Sequence, residues 1–234
     1  MYLDQCFHLV AADCSKQQLY GVLARQLAPS SQQKELQVFL GQSEIRIQPQ
    51  SSQLKVSVDG QQLHIQENQW QSLKSQQGQY LGQIFLAQNN VVQIYAPAYA
   101  LSLTFDGHDA AVETSQYLKG QQCGICGNQN QQTKDEMEGP QFCMYSEAEI
   151  QNAAYRLPNY PQGCDQKQPL SQSIKQKLQE QNQQCHKRHA IYTKVIYHWI
   201  EFSYIKNLYG ILSQCVFGHF EVLIEKQNKQ LFSS

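Results

Sequence analysis

One stretch of the sequence, Gly120 to Met137, concentrates the side chains that could do chemistry. Cys123 and Cys126 are separated by two residues and flanked by glycines, which a backbone uses where φ is positive or another chain comes close. Hard oxygen donors follow at the short spacing that a calcium ion requires. These donors are Asn128, Asn130, Asp135 and Glu136. The pattern indicates a tight, cross-linked bend that a cation could close.

Three interpretations compete for Cys123 and Cys126. A thioredoxin-like redox pair needs Cys-x-x-Cys at the start of a helix in a βαβ unit, and no apolar helical pattern follows here. A zinc ribbon needs a second close cysteine pair or paired histidines, whereas Cys143 and Cys164 stand alone. Two structural half-cystines in a turn of a secreted β-protein are favoured, because disulfides persist in oxidising compartments.

The run that begins at Cys123 also carries a family resemblance. It reads Cys-Gly-Ile-Cys-Gly-Asn-Gln-Asn, followed by Asp-Glu-Met, and it resembles the signature of von Willebrand factor type D domains. It is similar to the version found near the C-terminus of vitellogenins, the large lipid-transfer proteins of egg yolk. Residues 6–15 resemble the opening strand of that domain, and residues 153–164 resemble its closing segment. The resemblance covers about residues 2–195.

The resemblance implies a set of disulfides that staple the first strand to the central bend and to the closing segment. Such long-loop bridges stabilise by up to ~4–5 kcal/mol in the chain-entropy model. The implied pairs are Cys14 with Cys123, Cys6 with Cys164 and, as the plausible remaining pair, Cys143 with Cys185. In the family, the residue that matches Cys126 bonds a cysteine that lies before the first conserved strand. This chain starts after that point. We therefore expect Cys126 to be unpaired, and Cys215 likewise.

A calcium ion is also implied by the resemblance. In the family it is held by an aspartate of a first strand that we expect to be missing here, together with oxygens matching Asn128, Asn130, the carbonyl near Thr133, and Asp135 or Glu136. In this chain Gln-Gln at 131–132 replaces the usual Gly-Asp, and the residue at 130 is a neutral amide. Fewer charged ligands weaken calcium binding. We predict at most a weak site of the extracellular kind.

The composition limits the class of protein. The chain has 234 residues and a formal net charge of −1, with no basic cluster that would neutralise a phosphate backbone, so nucleic acid is not an indicated partner. Its eight cysteines favour an oxidising compartment. The N-terminus has no export signal, which we reconcile by expecting the C-terminal fragment of a larger secreted protein. No apolar run approaches the ~18 residues of a membrane span.

The first half of the chain shows short apolar alternations separated by turn residues, which predicts a mainly β protein. Ten runs read as strands, and they are Cys6–Ala12, Leu19–Leu27, Glu35–Leu40, Glu44–Gln48, Leu54–Val58, Gln62–Gln66, Gly82–Ala87, Val91–Ala96, Tyr99–Phe105 and Ala110–Glu113. Asp59-Gly60 predicts a two-residue hairpin. Glutamine, roughly one residue in six, is expected on the solvent-facing positions. The predicted fold is a disulfide-stapled antiparallel β-sandwich with short C-terminal helices.

The C-terminal part predicts helices and an atypical tail. Ser146–Tyr155 is predicted to be a helix with Ser146 as N-cap and Glu149 completing a capping box. Leu170–Gln184 is predicted to be a weakly packed helix tied back through Cys185. The predicted division is a D-type domain at 1–165, a Gln-rich helical closing segment at 166–195 and an aromatic tail at 196–234. We expect the tail not to pack with the sandwich.

No motif of an enzyme is present, since neither G-x-S-x-G nor H-E-x-x-H occurs. His8, His64 and His108 lack acidic partners at matching spacing and read as surface or core histidines. The aromatic residues Trp70, Tyr80, Tyr95 and Tyr99 read as core or rim packing.

Three functional hypotheses follow. The first is a vitellogenin-like yolk protein for nutrient storage and lipid transport, whose partners are the rest of a large lipid-transfer polypeptide and a yolk-uptake receptor. The second is a D-type module of a lipophorin, clotting protein or mucin-like protein. The third is a Cys-x-x-Cys oxidoreductase, which would expose a thiolate of low pKa.

Overall fold

The computed structural model describes residues 3–51, 53–132, 137–139 and 143–184. All of these residues lie in the first of two units of the chain, Met1–Trp199, and the second unit is Ile200–Ser234. The predictions made for Cys185, Cys215 and the tail at 196–234 therefore fall outside the described residues. In the described part, no helix is long and apolar enough to cross a membrane.

Twelve strands form two antiparallel sheets in the described part of the chain. They are β1 His8–Asp13, β2 Tyr20–Gln26, β3 Lys34–Leu40, β4 Ser43–Gln50, β5 Gln53–Val58, β6 Gln61–Leu63, β7 Gln71–Lys74, β8 Tyr80–Leu86, β9 Val92–Ala96, β10 Leu101–Phe105, β11 Ala110–Thr114 and β12 Gln122–Cys123. The seven-stranded sheet has the order β12-β1-β2-β3-β4-β5-β6, and the five-stranded sheet has the order β11-β10-β9-β8-β7. The prediction of a mainly β, antiparallel fold is confirmed.

The core lies between the two sheets because each sheet turns one apolar face inward. Along β5 the side chains of Leu54, Val56 and Val58 are buried and alternate with more exposed residues, as the period of two requires. Val58 and Val56 lie opposite Ile45 and Ile47 of β4. These residues belong to one buried cluster that also contains side chains from β7 to β10 of the other sheet. Two inner faces that share a core define a β-sandwich.

The turn between β5 and β6 is the one that the sequence predicts. Asp59 and Gly60 both have positive φ, 51° and 83°, as the central residues of a type I′ turn must. The Asp59 carboxylate also accepts the backbone N–H of Glu44 at 2.9 Å. The hairpin at Asp59-Gly60 is therefore confirmed, and it places β6 at one edge of the larger sheet.

Two strands differ from the sequence prediction, and three of the aromatic side chains that were predicted to pack in the core or at its rim lie outside the core. The strands β7 and β12 were not predicted, since β7 has a single buried residue, Leu73, and β12 has only two residues. Trp70, Tyr80 and Tyr95 are each about half exposed and not part of the core. Trp70 packs on Phe85 with ring centroids 5.3 Å apart. Local pattern alone does not separate an outer aromatic side chain from an inner one.

Three helices follow the sandwich: α1 Ala148–Ala154, α2 Cys164–Lys167 and α3 Gln172–Gln184. The predicted capping box is wrong. The N-cap of α1 is Glu147, and it makes no side-chain cap bond. Ser146 is engaged by α3 instead, because Gln181 Nε2 donates to its Oγ at 2.8 Å. The Ser146 hydroxyl, which would have capped the helix locally, is therefore engaged in a tertiary contact with Gln181.

Helix α3 begins two residues later than predicted, and it packs against the α1 region. Leu170 precedes the helix, while Ile174 is buried. Leu178 packs on a small cluster formed by Cys143, Tyr145 and Ile150. The Tyr145 hydroxyl donates to Asn182 Oδ1 at 2.7 Å. The described part of the predicted closing segment thus contacts the residues that precede it.

Candidate functional site

The cysteine–glycine loop is attached to the first strand of the larger sheet. A 3₁₀ turn at Gln116–Leu118 leads into β12, which pairs antiparallel with the end of β1 so that Ala12 lies opposite Cys123. Cys14, directly after β1, forms a disulfide with Cys123, and their Cα atoms are 5.8 Å apart. This is one of the two long-range pairs that the resemblance implies. The bridge closes a loop with a sequence separation of 109 residues.

Beyond Cys123 the backbone remains in contact with β1. The register of β1 and β2 shifts between Leu9 and Ala11, and at this bulge Ile125 N–H donates to Leu9 O at 3.1 Å and Cys126 N–H donates to Val10 O at 2.9 Å. A bulge leaves backbone groups unpaired in the ladder. Here the loop supplies the missing partners.

Gly124 is required by this close approach. Its φ is +124°, and a Cβ added there would clash with the carbonyl oxygen of Val10 and lie 2.9 Å from Ala11 Cα. Both groups are backbone and cannot move aside. Gly124 therefore serves the docking of two backbones, as the sequence pattern suggested.

Substituting Gly124→Ala is expected to lower the free energy of unfolding by about 2–3 kcal/mol, from the steric clash and the strained φ together. Urea denaturation of the oxidised protein measures the loss. Gly60→Ala is the matched control, because Gly60 also has a positive φ, +83°, but nothing lies within 4 Å of an added Cβ. A Gly124→Ala protein no less stable than Gly60→Ala would contradict the docking role.

The buried side chain of Gln122 also holds the loop in place through hydrogen bonds. Gln122 accepts the Tyr20 hydroxyl at 2.9 Å through Oε1, and its Nε2 donates to Gly127 O at 3.0 Å. The Thr114 hydroxyl lies 3.1 Å from the same Oε1. Burial raises the pKa of Tyr20 above its ordinary value, so the phenol remains a donor. Sequence reasoning missed Gln122, since nothing local separates it from the many surface glutamines.

The amide residues after the loop form two successive side-chain turns. Asn128 Oδ1 accepts the N–H of Asn130 at 3.1 Å, and Asn130 Oδ1 accepts the N–H of Gln132 at 2.7 Å. Each amide oxygen has a second lone pair. Glu138 brings a carboxylate to the same place, since its Oε2 lies 3.4 Å from Asn128 Nδ2.

These donors fit a calcium ion in type but carry little charge. Two neutral amide oxygens and the carboxylate of Glu138 are hard ligands of the kind calcium takes, and affinity falls as the number of charged ligands falls. The predicted ligands Asp135 and Glu136 lie outside the described residues, as does Thr133. The structure thus brings Asn128 and Asn130 together, and Glu138 is an oxygen donor that the sequence prediction did not include.

A second disulfide and an ion-pair network join the two ends of the domain. Cys6 forms a disulfide with Cys164, with Cα atoms 5.2 Å apart, and this is the other long-range pair that the resemblance implies. An Asp165 carboxylate oxygen lies within 4.8 Å of both sulfurs. Because the two sulfurs are bonded to each other, this cluster is not a metal site. Cys143 is also disulfide-bonded, and its partner lies outside the described residues.

Buried Arg156 organises the charges beside this bridge. Its Nε donates to Asp4 Oδ2 at 2.6 Å, its Nη1 pairs with Asp165, and its Nη2 donates to Gln168 O at 3.0 Å. The Asp4 carboxylate in turn accepts the N–H of Cys6 at 2.8 Å. A buried charge of this kind must be paired and hydrogen-bonded to be tolerated.

The model of the von Willebrand factor type D domain family matches residues 2–141 of the chain. The chain belongs to this family. The match includes both cysteines of the loop, the Cys14–Cys123 bridge and the strands of both sheets. The cysteine–glycine loop is thus the signature loop of a D-type domain.

The chain is similar to several vitellogenins. Vitellogenin-6 of Oscheius tipulae is 26% identical over 124 residues, which cover 53% of this chain and 7% of the relative. Vitellogenin-2 of Caenorhabditis elegans is 27% identical over 158 residues, covering 67% of this chain and 9% of the relative. Vitellogenin-A2 of Xenopus laevis is 26% identical over 138 residues, covering 58% and 7%. The D-type chain therefore spans less than a tenth of the length of these relatives.

The two cysteines of the signature loop are not bonded to each other. Among the described cysteines, Cys126 carries a free, exposed thiol, and Cys123 is bonded to Cys14. Desolvation by the surrounding loop raises the pKa of the Cys126 thiol, whereas a redox-active cysteine needs a lowered pKa. The D-type loop thus lacks both features of a thioredoxin-like pair, the internal disulfide and the activated thiolate.

Proposed function

We propose that this chain is a structural and interaction domain of a secreted, vitellogenin-like yolk protein that stores nutrients and transports lipid. The similarity to vitellogenins of two nematodes and a frog supports the assignment, and it is the observation that carries it. Disulfides in a β-sandwich are typical of extracellular proteins. Since the relatives are far longer than this chain, its natural partner is the rest of a large lipid-transfer polypeptide, with a yolk-uptake receptor as a further partner.

The domain's own role in this proposal is not catalytic. Three of the described groups that could do chemistry are engaged in structure: Cys123 in a bridge, Arg156 in ion pairs and Gln122 in a buried hydrogen-bond network. The sandwich would present the cysteine–glycine loop and the outer sheet faces to the remainder of the polypeptide.

Antibodies raised against the chain test this proposal in the source animal. The expected result is a band much larger than 234 residues in female body fluid and in eggs, and little in males. Equal amounts in both sexes, or recovery from clots or mucus, would favour the D-type module of a lipophorin, clotting protein or mucin-like protein. Recovery only from the cytosol as a short, reduced chain would contradict secretion.

We also propose a weak calcium site at residues 128–138, held by Asn128, Asn130 and Glu138 together with Asp135 and Glu136. The ion would neutralise the acidic side chains and fix the end of the loop. Isothermal titration of the oxidised chain is expected to show binding with a Kd on the order of 10⁻⁴–10⁻³ M, the range of extracellular modules.

The double variant Asp135→Asn with Glu136→Gln is expected to abolish the calcium heat, because it removes two charges from the donor set. Asp109→Asn, in the turn between β10 and β11, is the control and should bind as the wild type does. The absence of any binding heat when the wild-type chain is titrated with millimolar calcium would contradict the proposed site.

A further inference from the structure

The edge of β1 that β12 leaves open is paired by a short stretch of chain, residues 155–157, which we call the closing strand. Leu9 N–H donates to Tyr155 O at 3.0 Å, and Leu157 N–H donates to Phe7 O at 2.8 Å. Between these bonds His8 lies directly opposite Arg156 in an antiparallel bridge. Opposed residues of an antiparallel pair project their side chains on the same side of the sheet.

The His8–Arg156 pair is buried together with one carboxylate. His8 is 3% exposed, Arg156 6% and Asp4 4%. The charged groups that face the imidazole are Asp4, from the segment before β1, and Arg156, from the closing strand; Asp165 reaches it only through Arg156. On the β2 side the residue opposite His8 is Ala24, which carries no charge.

The imidazole is held in its neutral form. Its Nδ1 lies 3.0 Å from the carbonyl oxygen of Cys6, and because a carbonyl only accepts, Nδ1 carries the hydrogen. The pKa of His8 is lowered from 6.5 to about 4, chiefly by burial and to a smaller extent by Arg156, while Asp4 and the Cys6 carbonyl oppose the shift. Burial raises the pKa of the neighbouring Tyr155 hydroxyl, which therefore stays neutral over the same range.

We propose that the pairing of the closing strand with β1 is an acid-sensitive latch, in which a proton on His8 places a second cation opposite Arg156 and releases residues 155–157. Like charges directly opposite each other destabilise a strand pair. Asp4 compensates only in part: it attracts a protonated imidazole, but burial together with Arg156 outweighs it, and its carboxylate is already bonded to Arg156 Nε and Cys6 N–H. The Cys6–Cys164 bridge keeps the released strand attached, so that opening is reversible.

Opening of the latch would also affect the signature loop, because the closing strand and the signature loop hydrogen-bond to the same edge of β1. Leu9 donates its N–H to Tyr155 and accepts, through its carbonyl, the N–H of Ile125. The Tyr155 hydroxyl also donates to Glu138 O at 3.1 Å, next to the proposed calcium donors. Acid would therefore loosen the closing strand first and the residues around Glu138 with it.

The sign of the pH dependence follows from the lowered pKa. Above pH 6.5 the imidazole is neutral in the closed and open states, and the latch has its full stability. As the pH falls from 6.5 through about 4, His8 binds a proton more readily in the open state than in the closed state. Opening therefore becomes more favourable.

Hydrogen–deuterium exchange of the oxidised full chain, expressed as protection factors at pH 7 and pH 4.5, tests the proposal. Amides of residues 7–9 and 155–160 are expected to lose protection by roughly tenfold or more, while those of β3 and β4 keep theirs. His8→Asn retains a donor for the Cys6 carbonyl and cannot be protonated, so it should hold its protection at pH 4.5. His64→Asn, at an exposed histidine, is the matched control and should behave as the wild type.

Two outcomes would overturn the latch. One is a wild-type closing strand whose protection is the same at both pH values, a result that does not depend on any variant folding. The other is an equal acid-induced loss in His8→Asn and wild type, which would assign the effect to groups other than His8.

Discussion

Replacing Cys14 and Cys123 together by serine is expected to lower the free energy of unfolding by about 4–5 kcal/mol, because the bridge closes a long loop in the unfolded chain. The two residues are 109 positions apart, and the bridge anchors β12 to the end of β1. Without it the signature loop is held by its hydrogen bonds to β1 and through Gln122 and by the packing of Ile125 against the core. Urea denaturation under non-reducing conditions, at neutral pH, measures the difference.

Cys126→Ser is the control for this experiment. Cys126 lies three residues away, carries a free thiol and is exposed, so its removal is expected to leave the free energy of unfolding close to the wild-type value. Equal stability of the double serine variant and Cys126→Ser would mean that the bridge does not hold the sandwich together.

Arg156→Met is expected to cost about 3–5 kcal/mol, since it leaves the buried carboxylate of Asp4 without a counter-charge. Methionine keeps much of the volume of the arginine stem, so the loss would report charge more than packing. Asp165 is partly exposed and would be solvated, whereas the side chain of Asp4 is only 5% exposed. Thermal and urea unfolding at pH 7 provide the measurement.

The double variant Asp4→Asn with Arg156→Met separates the two contributions. It removes the orphaned charge and is expected to recover part of the stability lost in Arg156→Met. Lys177→Met is the surface control, because Lys177 pairs with Glu147 where both side chains are well exposed, and such pairs contribute little. An Arg156→Met protein as stable as Lys177→Met would contradict the structural role of the buried pair.

Much of the sandwich is predictable from local sequence because its strands carry their own signals. Alternating burial along β5 and the positive-φ pair Asp59-Gly60 are both local properties, and they appear in the structure where the pattern places them. The strand β7 is different. Gln71–Lys74 has one buried apolar residue, and it becomes a strand because β8 offers it a partner, which no local pattern reports.

In the candidate site, too, some features are predictable from local sequence and others depend on tertiary contacts. The cysteines and glycines of the loop are visible in the sequence, and their pairing came from a family resemblance, not from spacing. Gln122 and His8 acquire their roles from residues more than a hundred positions away, Tyr20 and Arg156. His8 read as a histidine without an acidic partner, yet Asp4 faces it. Asp4 lies only four positions before His8, whereas the tertiary contacts with Tyr20 and Arg156 leave no local trace.

The disulfide map of the natural protein is the most direct test that this chain is a D-type domain stapled across its sandwich. Non-reducing peptide mapping by mass spectrometry is expected to find the peptide of Cys14 joined to that of Cys123, and the peptide of Cys6 joined to that of Cys164. Cys126 should not be joined to Cys123. A Cys123–Cys126 bridge, with Cys14 left as a thiol, would contradict the fold and the family role proposed for it.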